Sequence, residues 1–375
     1  MTTKPRKLVG VISFMNAAGA QEALLRLARQ MRARGHDMEV WFLYEEDSIH
    51  ADEPGIRILV RKPKLSPLEY VSVFFRLCGD LRKARPDAVV GFLPLGNVFG
   101  LLAAAIAGVP LRVASQRAPG NTFGKVMRIA DKILGASPVY ERIICVSNAV
   151  KTSFASYPEA YRRKLSVVHN GIEWTPSPLD KKAAREALGL PADKFLFAAI
   201  GRMKAQKNYA FLLNAFARTR EGVLVIAGDG ALQPSLVAQA AELGVSDRII
   251  FLGALGRAAV RNLLAAADAF VQSSLYEGQS NAVLEAMHQG LPIIVSDIPE
   301  QRETVADEDT GEVGALLPPL GEADAWTQAL DSVAADPALR TRLSATAQAI
   351  VVRKFTLTRM IDGFEAVLAP PAKAE

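Results

Sequence analysis

Two glutamates with seven residues between them are the most chemically suggestive feature of the sequence. They are Glu277 and Glu285, in the stretch EGQSNAVLEAM, residues 277–287. Ser280 is a favoured N-cap residue, and a helix that begins there would offer unpaired N–H groups to a phosphate. Gly278 leaves the backbone open to a ligand. Both carboxylates could then accept hydrogen bonds from hydroxyls beside that phosphate, or they could be ordinary solvated side chains on a capped helix.

Two cations follow a predicted strand in the stretch AAIGRMKAQKN, residues 198–208. Arg202 and Lys207 lie just after its apolar part and could stabilise a leaving diphosphate, or could be solvated loop residues. Another strand end, LVIAGDGALQ, supplies Gly228 and Gly230 but no third glycine. It lacks the dinucleotide fingerprint GxGxxG, which disfavours a nicotinamide-dependent dehydrogenase.

The elements that would position these residues alternate between strands and helices. The chain opens with the strand KLVGVISF, a glycine loop, a helix and the strand HDMEVWFLY, which is the start of a parallel α/β sheet. A second series follows GIEWTPSP, whose glycine and prolines are typical of a linker. Its helical patterns lie at 208–219, 231–243, 257–266 and 280–289, and TLTRMIDGFEAVL is a last amphipathic helix. The sequence therefore predicts two α/β units in tandem.

Composition and charge narrow the choice of function. The 375 residues are 50% hydrophobic and include only Cys78 and Cys145 as cysteines, which fits a reducing cytoplasm. The N-terminal MTTKPRKLVGVISF has no long apolar region or cleavage site, so we expect no signal peptide. Residues 1–175 carry a net charge of +10 and residues 176–375 one of −5. The first half is therefore the better candidate to meet an anionic partner, although an ordinary solvated surface would look the same.

Two segments of the first half raise the question of a membrane. Residues 88–111 carry no charge, but Pro94, Asn97 and Pro110 divide them into strand, loop, helix and strand, which disfavours a transmembrane span. Residues 57–85 combine Lys and Arg with a helical pattern of apolar and aromatic residues. Such a segment can lie on an anionic bilayer, or it can be a core-facing helix with basic ends.

Taken in order, these motifs resemble the retaining glycosyltransferases of family 4, and the resemblance covers nearly the whole chain. The strongest motif is the glutamate pair E277-GQSNAVL-E285 with the following AMHQGLPIIVSD. Supporting motifs are AGAQEALLRLARQMRARGH near the start, CVSNAVKTSF, VVHNGIE, GRMKAQKN, AGDG and FLG. Each of these is weak alone, and together they are highly specific.

The resemblance implies the GT-B architecture, in which two Rossmann-like, doubly wound α/β domains face each other across a cleft. The N-terminal, acceptor-binding domain would be residues 1–172, with a C-terminal helix at 357–375 crossing back onto it. The nucleotide-sugar-binding domain would be residues 173–356, and His169–Gly171 would form the hinge.

For the donor, the resemblance implies a nucleotide-diphosphate sugar held mainly by the second domain. Glu285 would bind the ribose and Glu277 would orient the sugar. Arg202, Lys207 and the backbone at Gln279–Asn281 would hold the diphosphate, and the loop at Gly19 would approach it. The predicted donor-binding residues are Gly19, Gly228, Gly278, Gln279, Ser280, Asn281 and Glu285, and the predicted catalytic residues are Arg202, Lys207 and Glu277.

The implied reaction retains the anomeric configuration of the sugar. The acceptor attacks the face from which the diphosphate leaves, and stabilisation of the charge on the leaving group is the chief catalytic term. Enzymes of this family usually need no metal, so we expect neither a metal nor another cofactor. The D-x-D sequence at Asp307–Asp309 is then a solvated turn.

Two positions depart from the family pattern. The first glycine loop is often G-G-A-E in the family and reads Ala18-Gly19-Ala20-Gln21 here, so that an amide replaces a carboxylate. Many members carry a histidine after the strand that here reads RVASQRAPGN, where this chain has Ser115, Gln116 and Arg117. Arg117 is therefore a candidate for acceptor or phosphate binding, and Asn97 is a second candidate for the acceptor.

The leading hypothesis is sugar transfer from a nucleotide-diphosphate donor to a lipid-linked or surface-polysaccharide acceptor, in the cytoplasm or at the inner face of the cell membrane. The alternatives are a nucleotide-sugar 2-epimerase of the same architecture and a catalytically silent partner subunit. An anionic membrane is a further expected partner if residues 57–85 lie on a bilayer. Nucleic acid is not an expected partner, because the basic excess is modest and no aromatic-basic recognition motif occurs.

Overall fold

The computed structural model describes residues 4–15, 19–46 and 52–369. The chain divides into two compact units. Unit 1 comprises Met1–Gly171 and Thr358–Glu375, and unit 2 comprises Ile172–Leu357. Ala18 of the glycine loop and the last residues of the predicted helix 357–375 lie outside the described residues.

A seven-stranded parallel sheet forms the middle of unit 1. Its strands are β1 (Lys7–Met15), β2 (Asp37–Glu45), β3 (Ile56–Val60), β4 (Ala88–Phe92), β5 (Leu111–Gln116), β6 (Arg142–Cys145) and β7 (Leu165–Val167). Their order across the sheet is β3-β2-β1-β4-β5-β6-β7. The central strands β1 and β4 are apolar and buried along nearly their whole length, as expected of a parallel sheet covered on both faces.

The helices of unit 1 lie between these strands. They are α1 (Gly19–Ala33), α2 (Pro67–Ala84), α3 (Leu93–Leu95), α4 (Leu101–Ile106), α5 (Lys125–Ala136), α6 (Asn148–Ser153) and α7 (Glu159–Arg162), with a π-turn at Gly96–Gly100 between α3 and α4. A capping box starts α2, in which the Ser66 side chain accepts from the Glu69 N–H and the Glu69 carboxylate accepts from the Ser66 N–H. Local capping thus fixes where this helix begins.

The two segments that raised the question of a membrane both belong to this fold. Residues 88–111 form β4, the helical stretch with its π-turn, and the start of β5, as predicted. No helix within the described ranges is long and apolar enough to cross a bilayer. Residues 57–85 are not a single helical segment, because Arg57–Val60 belong to β3, where Leu59 is buried in the core.

Unit 2 is built on a six-stranded parallel sheet. Its strands are β8 (Leu196–Ile200), β9 (Val223–Ala227), β10 (Ile249–Gly253), β11 (Ala269–Gln272), β12 (Ile293–Val295) and β13 (Ala315–Leu316). Their order is β10-β9-β8-β11-β12-β13. The apolar runs of the second series predict strands at KFLFAAIGR, GVLVIAG, RIIFLG, DAFVQSS, PIIVSD and VGALLP, and each run contains one of these six strands. The predicted doubly wound α/β class is confirmed.

Helices cover both faces of this sheet. They are α8 (Lys181–Ala187), α9 (Tyr209–Phe216), α10 (Gln233–Glu242), α11 (Arg257–Ala266), α12 (Asn281–His288), α13 (Pro299–Val305), α14 (Ala323–Ala335) and α15 (Pro337–Lys354). The four helical patterns of the second series correspond to α9–α12. The last helix, α16 (Leu357–Leu368), packs in unit 1, where the Phe364 ring stacks on Phe92 and Glu365 pairs with Arg34.

Both sheets reverse their strand order beside their first strand. The reversal lies between β1 and β4 in unit 1 and between β8 and β11 in unit 2. Open α/β sheets bind ligands beyond the carboxyl ends of the strands at such a switch point. In unit 2 these ends lead into residues 201–208, here called the β8 loop, and residues 273–280, here called the β11 loop.

Candidate functional site

The β8 loop and the β11 loop are held together by hydrogen bonds. The Leu275 N–H donates to the Gln206 carbonyl oxygen at 2.8 Å. The Ser273 hydroxyl donates to the Lys207 carbonyl oxygen at 2.9 Å. Residues about 70 positions apart in the sequence therefore share one site at the switch point of unit 2.

Glu277 is the centre of the polar contacts in these two loops. One of its carboxylate oxygens accepts from Lys207 Nζ at 2.6 Å and from Gln272 Nε2 at 3.0 Å. Gln206 Nε2 lies 3.4 Å from the other oxygen. The side chains of Lys207 and Glu277 are only 15% and 8% exposed. Their attraction is therefore screened less than that of a surface ion pair.

Gln272, at the end of β11, connects Glu277 to the start of α12. While its Nε2 donates to Glu277, its Oε1 accepts from the Ser280 hydroxyl at 2.9 Å. Ser280 is the N-cap of α12, as predicted, because its side chain accepts from the Val283 N–H at 3.4 Å. The structure thus brings Glu277, Lys207 and the N-terminus of α12 into one polar network.

The remaining predicted residues of the β11 loop lie beside this network. Gly278 and Gln279 are buried, and Asn281 is the first, partly buried residue of α12. Gln206 and Gln272 were missed by sequence reasoning. The signal for Gln272 was a polar residue at the end of the apolar strand AFVQ. Gln206 had no signal in the sequence beyond its place between Arg202 and Lys207.

Arg202 is more open to solvent than Lys207. Its side chain is 37% exposed, and its Nε lies 4.0 Å from the carboxylate of Asp229. The adjacent Gly228 has a φ of +141°, and a Cβ there would lie 2.1 Å from the Gly201 carbonyl oxygen. Glycine at 228 is therefore required for the close approach of the chain beyond β8 and β9, whether or not it contacts a donor.

Glu285 lies inside α12 and is partly buried. It is close to Arg257, the first residue of α11: burial lowers the pKa of Arg257, and the negative charge of Glu285 opposes that effect. Arg257 was not predicted from the sequence. It appears there only as a single cation that follows the strand motif FLG. It supplies a positive charge near the predicted ribose-binding carboxylate.

A further carboxyl group, that of Glu300 on α13, lies near Glu277. Glu300 is 7% exposed, and its pKa is raised by burial and secondarily by the negative charges of Glu277 and Glu303. The site therefore favours a protonated Glu300 more than free solvent would. No pattern in the sequence indicated a role for Glu300.

In unit 1 the predicted glycine loop leads into α1. Gly19 is the first residue of that helix and is exposed. Gln21, at the position where the family often has glutamate, is 1% exposed, and its Nε2 donates to the Phe14 carbonyl oxygen at 3.1 Å. The Gln21 amide therefore ties α1 to the end of β1.

Asn97 lies at the switch point of unit 1 but is completely buried. Its Oδ1 accepts from the Ser115 N–H at 3.1 Å, and its Nδ2 lies 3.2 Å from both the Ser115 carbonyl oxygen and Gln116 Oε1. Both polar ends of the amide are used inside the fold. This geometry gives Asn97 a structural role and offers no support for its predicted contact with an acceptor.

The hydrogen bonds of Asn97 continue into a buried polar network. Gln116 Nε2 donates to Asp131 Oδ1 at 2.8 Å, and the hydroxyls of Tyr161 and Tyr140 lie 2.8 and 3.3 Å from the Asp131 carboxylate. Burial raises the pKa of Asp131, although these three hydrogen bonds act in the opposite direction. The position at which the family often has histidine, here Gln116 and its neighbours, is thus partly used to build the interior of unit 1.

Arg117 is placed differently from Asn97. It is partly buried, donates to the side-chain oxygen of Asn170, and lies 5.2 Å from the centroid of the Phe92 ring. Burial, and secondly the charge of Arg26, lower the pKa of Arg117 to about 9. Two guanidinium groups close together make this part of unit 1 favourable for an anion.

The D-x-D sequence leads into the turn that was expected, and Asp309 is exposed there, but the first aspartate is not solvated. Asp307 is 2% exposed, pairs with Arg353, and accepts from the Asp309 N–H at 3.1 Å. The carboxylate is buried because it joins the end of α13 to α15 by this ion pair. Across the described residues, no group of three or more His, Cys, Asp or Glu side chains has the arrangement of a metal site.

Comparison with known proteins identifies the family. The family model of glycosyl transferases group 1 matches residues 180–350, and that of glycosyltransferase family 4 matches residues 17–174. The UDP-Gal:alpha-D-GlcNAc-diphosphoundecaprenol alpha-1,3-galactosyltransferase of Escherichia coli is 30% identical over a match of 298 residues that covers 75% of each chain. The chain belongs to glycosyltransferase family 4.

Two further comparisons describe the range of this family 4 glycosyltransferase's relatives. The D-inositol 3-phosphate glycosyltransferase of Mycolicibacterium smegmatis is 29% identical over a match of 367 residues that covers 88% of this chain and 82% of the relative. The crystal structure of Anabaena HepE in complex with UDP and glucose has a TM-score of 0.83 at 19% identity and covers 96% of this chain and 99% of that one. The fold is GT-B, as predicted.

Proposed function

We propose that this family 4 glycosyltransferase moves a sugar from a nucleotide-diphosphate donor to a lipid-linked or surface-polysaccharide acceptor, with retention of configuration and without a metal. The observation that carries the proposal is the network of Lys207, Glu277, Gln272 and the Ser280-capped start of α12. It combines a cation, a carboxylate and the N-terminus of a helix at a switch point.

Each group in this network has a distinct part in the proposed reaction. Arg202, Lys207 and the N-terminus of α12 hold the diphosphate and stabilise the negative charge that develops as it leaves. Glu277 accepts hydrogen bonds from the donor sugar, and Glu285 accepts them from the ribose. Because Lys207 already pairs with Glu277, a bound diphosphate would share this cation with the carboxylate and so fix the distance between sugar and phosphate.

The proposal that no metal takes part rests on the family resemblance and on these cations. Two positive side chains and a helix N-terminus can supply the charge stabilisation that a divalent ion supplies elsewhere. We therefore expect turnover to continue in excess EDTA. Loss of turnover in EDTA that Mg²⁺ or Mn²⁺ restores would contradict this part of the proposal.

The acceptor class is supported by the names of the relatives and by the charge of unit 1. The E. coli relative is named for a diphosphoundecaprenol-linked acceptor, and the M. smegmatis relative for an inositol phosphate. Both names describe acceptors that carry phosphate. The neighbouring Arg26 and Arg117 offer a positive region of unit 1 that suits such a molecule.

A peripheral contact with an anionic membrane is part of the proposal. On α2, Leu68, Val71 and Phe75 are 83%, 53% and 68% exposed and are spaced to lie on one face. We expect the protein to bind phosphatidylglycerol vesicles more weakly as salt is raised. No binding at low salt would remove the membrane from the proposal.

The function is tested first by a screen of nucleotide sugars, measured as thermal stabilisation. A donor at 100 times its dissociation constant should add about 2.7 kcal/mol to the free energy of unfolding. UDP-sugars head the screen, because UDP is named in both the E. coli relative and the HepE complex. If no nucleotide sugar stabilises the protein, the proposed function is wrong.

The product then separates the alternatives. A new glycoside whose anomeric proton has the configuration of the donor sugar, seen by NMR, would support a retaining transferase. Release of an epimerised sugar without an acceptor would indicate the 2-epimerase, and donor binding without turnover on any acceptor would indicate a silent partner subunit.

A further inference from the structure

Helix α5 of unit 1 presents an apolar stripe to solvent. Val126, Ile129 and Ile133 are 74%, 49% and 62% exposed. Their spacings of three and four residues place them on one face of the helix. Three large aliphatic side chains in one exposed row are a feature of interaction surfaces more than of ordinary protein surface.

A row of cations runs beside this apolar stripe. Lys125, Arg128 and Lys132 are exposed, and none of them has a carboxylate partner within the ranges that the structure describes. The acidic residue of the helix, Asp131, points inward, where its oxygens accept from Gln116, Tyr140 and Tyr161. The charge of the row is therefore available to an anion from outside.

The exposed face of α2 differs in this respect. It has an apolar row of the same spacing, but Lys62 beside it pairs with Glu69, and both Arg57 and Arg76 pair with Asp80. These pairs neutralise much of its positive charge. Of the two faces, α5 is the one that combines apolar surface with cations lacking acidic neighbours.

A cavity of about 290 Å³ opens next to the cations of α5. Arg128, Lys132 and Ile129 line it together with Ser156 and Tyr157. Tyr157 is 8% exposed, and its hydroxyl has no hydrogen-bond partner among the described residues. Lys132 Nζ lies 5.6 Å from the centroid of the Tyr157 ring. Two cations therefore line the cavity beside the buried Tyr157, and the cavity can hold a small anionic group but not a whole glycan.

We propose that this cavity binds the phosphate end of a lipid-linked acceptor, with Arg128 and Lys132 on the phosphate and the lipid chain along Val126, Ile129 and Ile133. The Tyr157 hydroxyl donates to a phosphate oxygen. The match is one of charge and of amphiphilic shape: a diphosphate joined to a hydrocarbon chain needs cations and apolar surface side by side. This inference rests on the proposed function, because it names where that acceptor is held.

The burial of Tyr157 suits this role. Burial, and secondarily the negative charge of Asp131, raise the pKa of Tyr157 to about 12. A tyrosine hydroxyl is protonated at neutral pH in any case, and the raised pKa extends this into the alkaline range, so that the hydroxyl can donate a hydrogen bond to an anionic oxygen. A deprotonated tyrosine would instead repel the phosphate.

Farnesyl diphosphate is the probe for the test, because it has the diphosphate and the prenyl chain but no sugar. We expect Arg128→Gln/Lys132→Gln to weaken its binding, measured by calorimetry, at least 10-fold, and Tyr157→Phe to weaken it a few-fold. The matched control Lys64→Gln/Lys83→Gln removes two exposed cations near the other apolar face and should change binding less than 2-fold. Farnesol and inorganic diphosphate should each bind at least 10-fold more weakly than the complete probe.

Two outcomes would overturn the inference. Equal binding of farnesyl diphosphate to the wild type and to Arg128→Gln/Lys132→Gln would show that the lipid phosphate binds elsewhere. The second outcome is that Arg128→Gln/Lys132→Gln weakens binding to phosphatidylglycerol vesicles as much as it weakens binding of farnesyl diphosphate. That result would show that the row serves bulk lipid headgroups and not the acceptor. Since Arg128 and Lys132 are exposed, the double variant should fold, and circular dichroism checks this.

The test also separates this inference from the proposed function. Binding of UDP is measured on the same variants and should be unchanged by Arg128→Gln/Lys132→Gln. If nucleotide binds and farnesyl diphosphate does not, the α5 site is wrong and the transferase proposal stands. If the lipid diphosphate binds as predicted but no nucleotide sugar does, the proposed function fails and the lipid site remains.

Discussion

The switch points of the two sheets have the same topology and use their polar residues in different ways. In unit 2, Glu277 pairs with Lys207 in a network that includes the N-cap of α12, and the β8 loop also carries the more exposed Arg202. In unit 1, Asn97 is completely buried and bonds to Ser115 and Gln116. The same sheet order can therefore present charged groups for chemistry or use amide groups to hold the fold together.

A position at a switch point is therefore not enough to assign a role to a residue. What distinguishes the two sites is where the hydrogen-bonding capacity of each side chain is used. Asn97 donates and accepts inside unit 1, whereas Arg202 keeps a 37% exposed side chain. A ligand can compete for the second kind of group at low cost, because no buried partner is left unsatisfied.

The largest effect should come from removing the cations of the β8 loop. We expect Arg202→Ala and Lys207→Ala each to lower turnover by two or more orders of magnitude, because loss of one donor to the leaving group commonly costs about 3 kcal/mol. Lys204→Ala removes an exposed cation of the same loop and should stay within about 2-fold of the wild type, as is usual for surface changes. Near-native turnover of both Arg202→Ala and Lys207→Ala would show that these cations of unit 2 do not act in the reaction.

The next effect should be on stability and should come from unit 1. Asn97→Ala leaves the buried Ser115 N–H without its partner, so we expect the free energy of unfolding to fall by about 2 kcal/mol. Binding of UDP by the folded variant should be unchanged. The exposed Asn121→Ala is the control in the same unit. If Asn97→Ala kept native stability but used the acceptor poorly, Asn97 would have an acceptor-binding role and not a structural one.

A smaller change is expected for the cap of α12. Ser280→Ala removes the hydrogen bond to the Val283 N–H and the one to Gln272, and should lower the free energy of unfolding by about 1 kcal/mol. Because Gln272 also orients Glu277, turnover should fall as well, in contrast to Asn97→Ala. Chemical denaturation and initial rates measure the two effects separately. Unchanged turnover would show that Gln272 does not need Ser280 to orient Glu277.

The smallest effect is a pH dependence in the buried network of unit 1. Asp131 has a raised pKa in the folded protein, so the folded state binds its proton more tightly than the unfolded chain does. Its contribution to stability is therefore greatest below the unfolded pKa of about 3.9 and declines as the pH rises through the folded pKa.

The direction of this pH dependence is measured as a difference in the free energy of unfolding between the wild type and a variant. Asp131→Asn does not titrate at this position, so the free energy of unfolding of the wild type minus that of the variant should decrease from about pH 4 to about pH 8. Urea unfolding at a series of pH values gives the difference. An increase with pH would mean that the hydrogen bonds from Tyr161, Tyr140 and Gln116 outweigh the effect of burial.

Most of the fold could be predicted from the sequence because its signals are local. Apolar runs such as FLFAAI and VLVIA, each followed by a glycine, identified strands of unit 2, and Ser280 identified the start of α12. The strand β3 was missed, because the basic residues around IRILV continue into the helix that follows and hide its short apolar pattern.

The family, the two α/β units and the charged residues at the ends of β8 and β11 follow from the amino-acid sequence. The pairing of the polar side chains follows from the folded structure instead: Lys207 pairs with Glu277, Asp307 pairs with Arg353, and Asn97 bonds to Ser115 in β5. The cause of this division is that strand and helix signals arise between neighbours in the chain. The burial and the partner of a charged or amide group depend on residues dozens of positions away, which only the folded sheet brings within hydrogen-bonding distance.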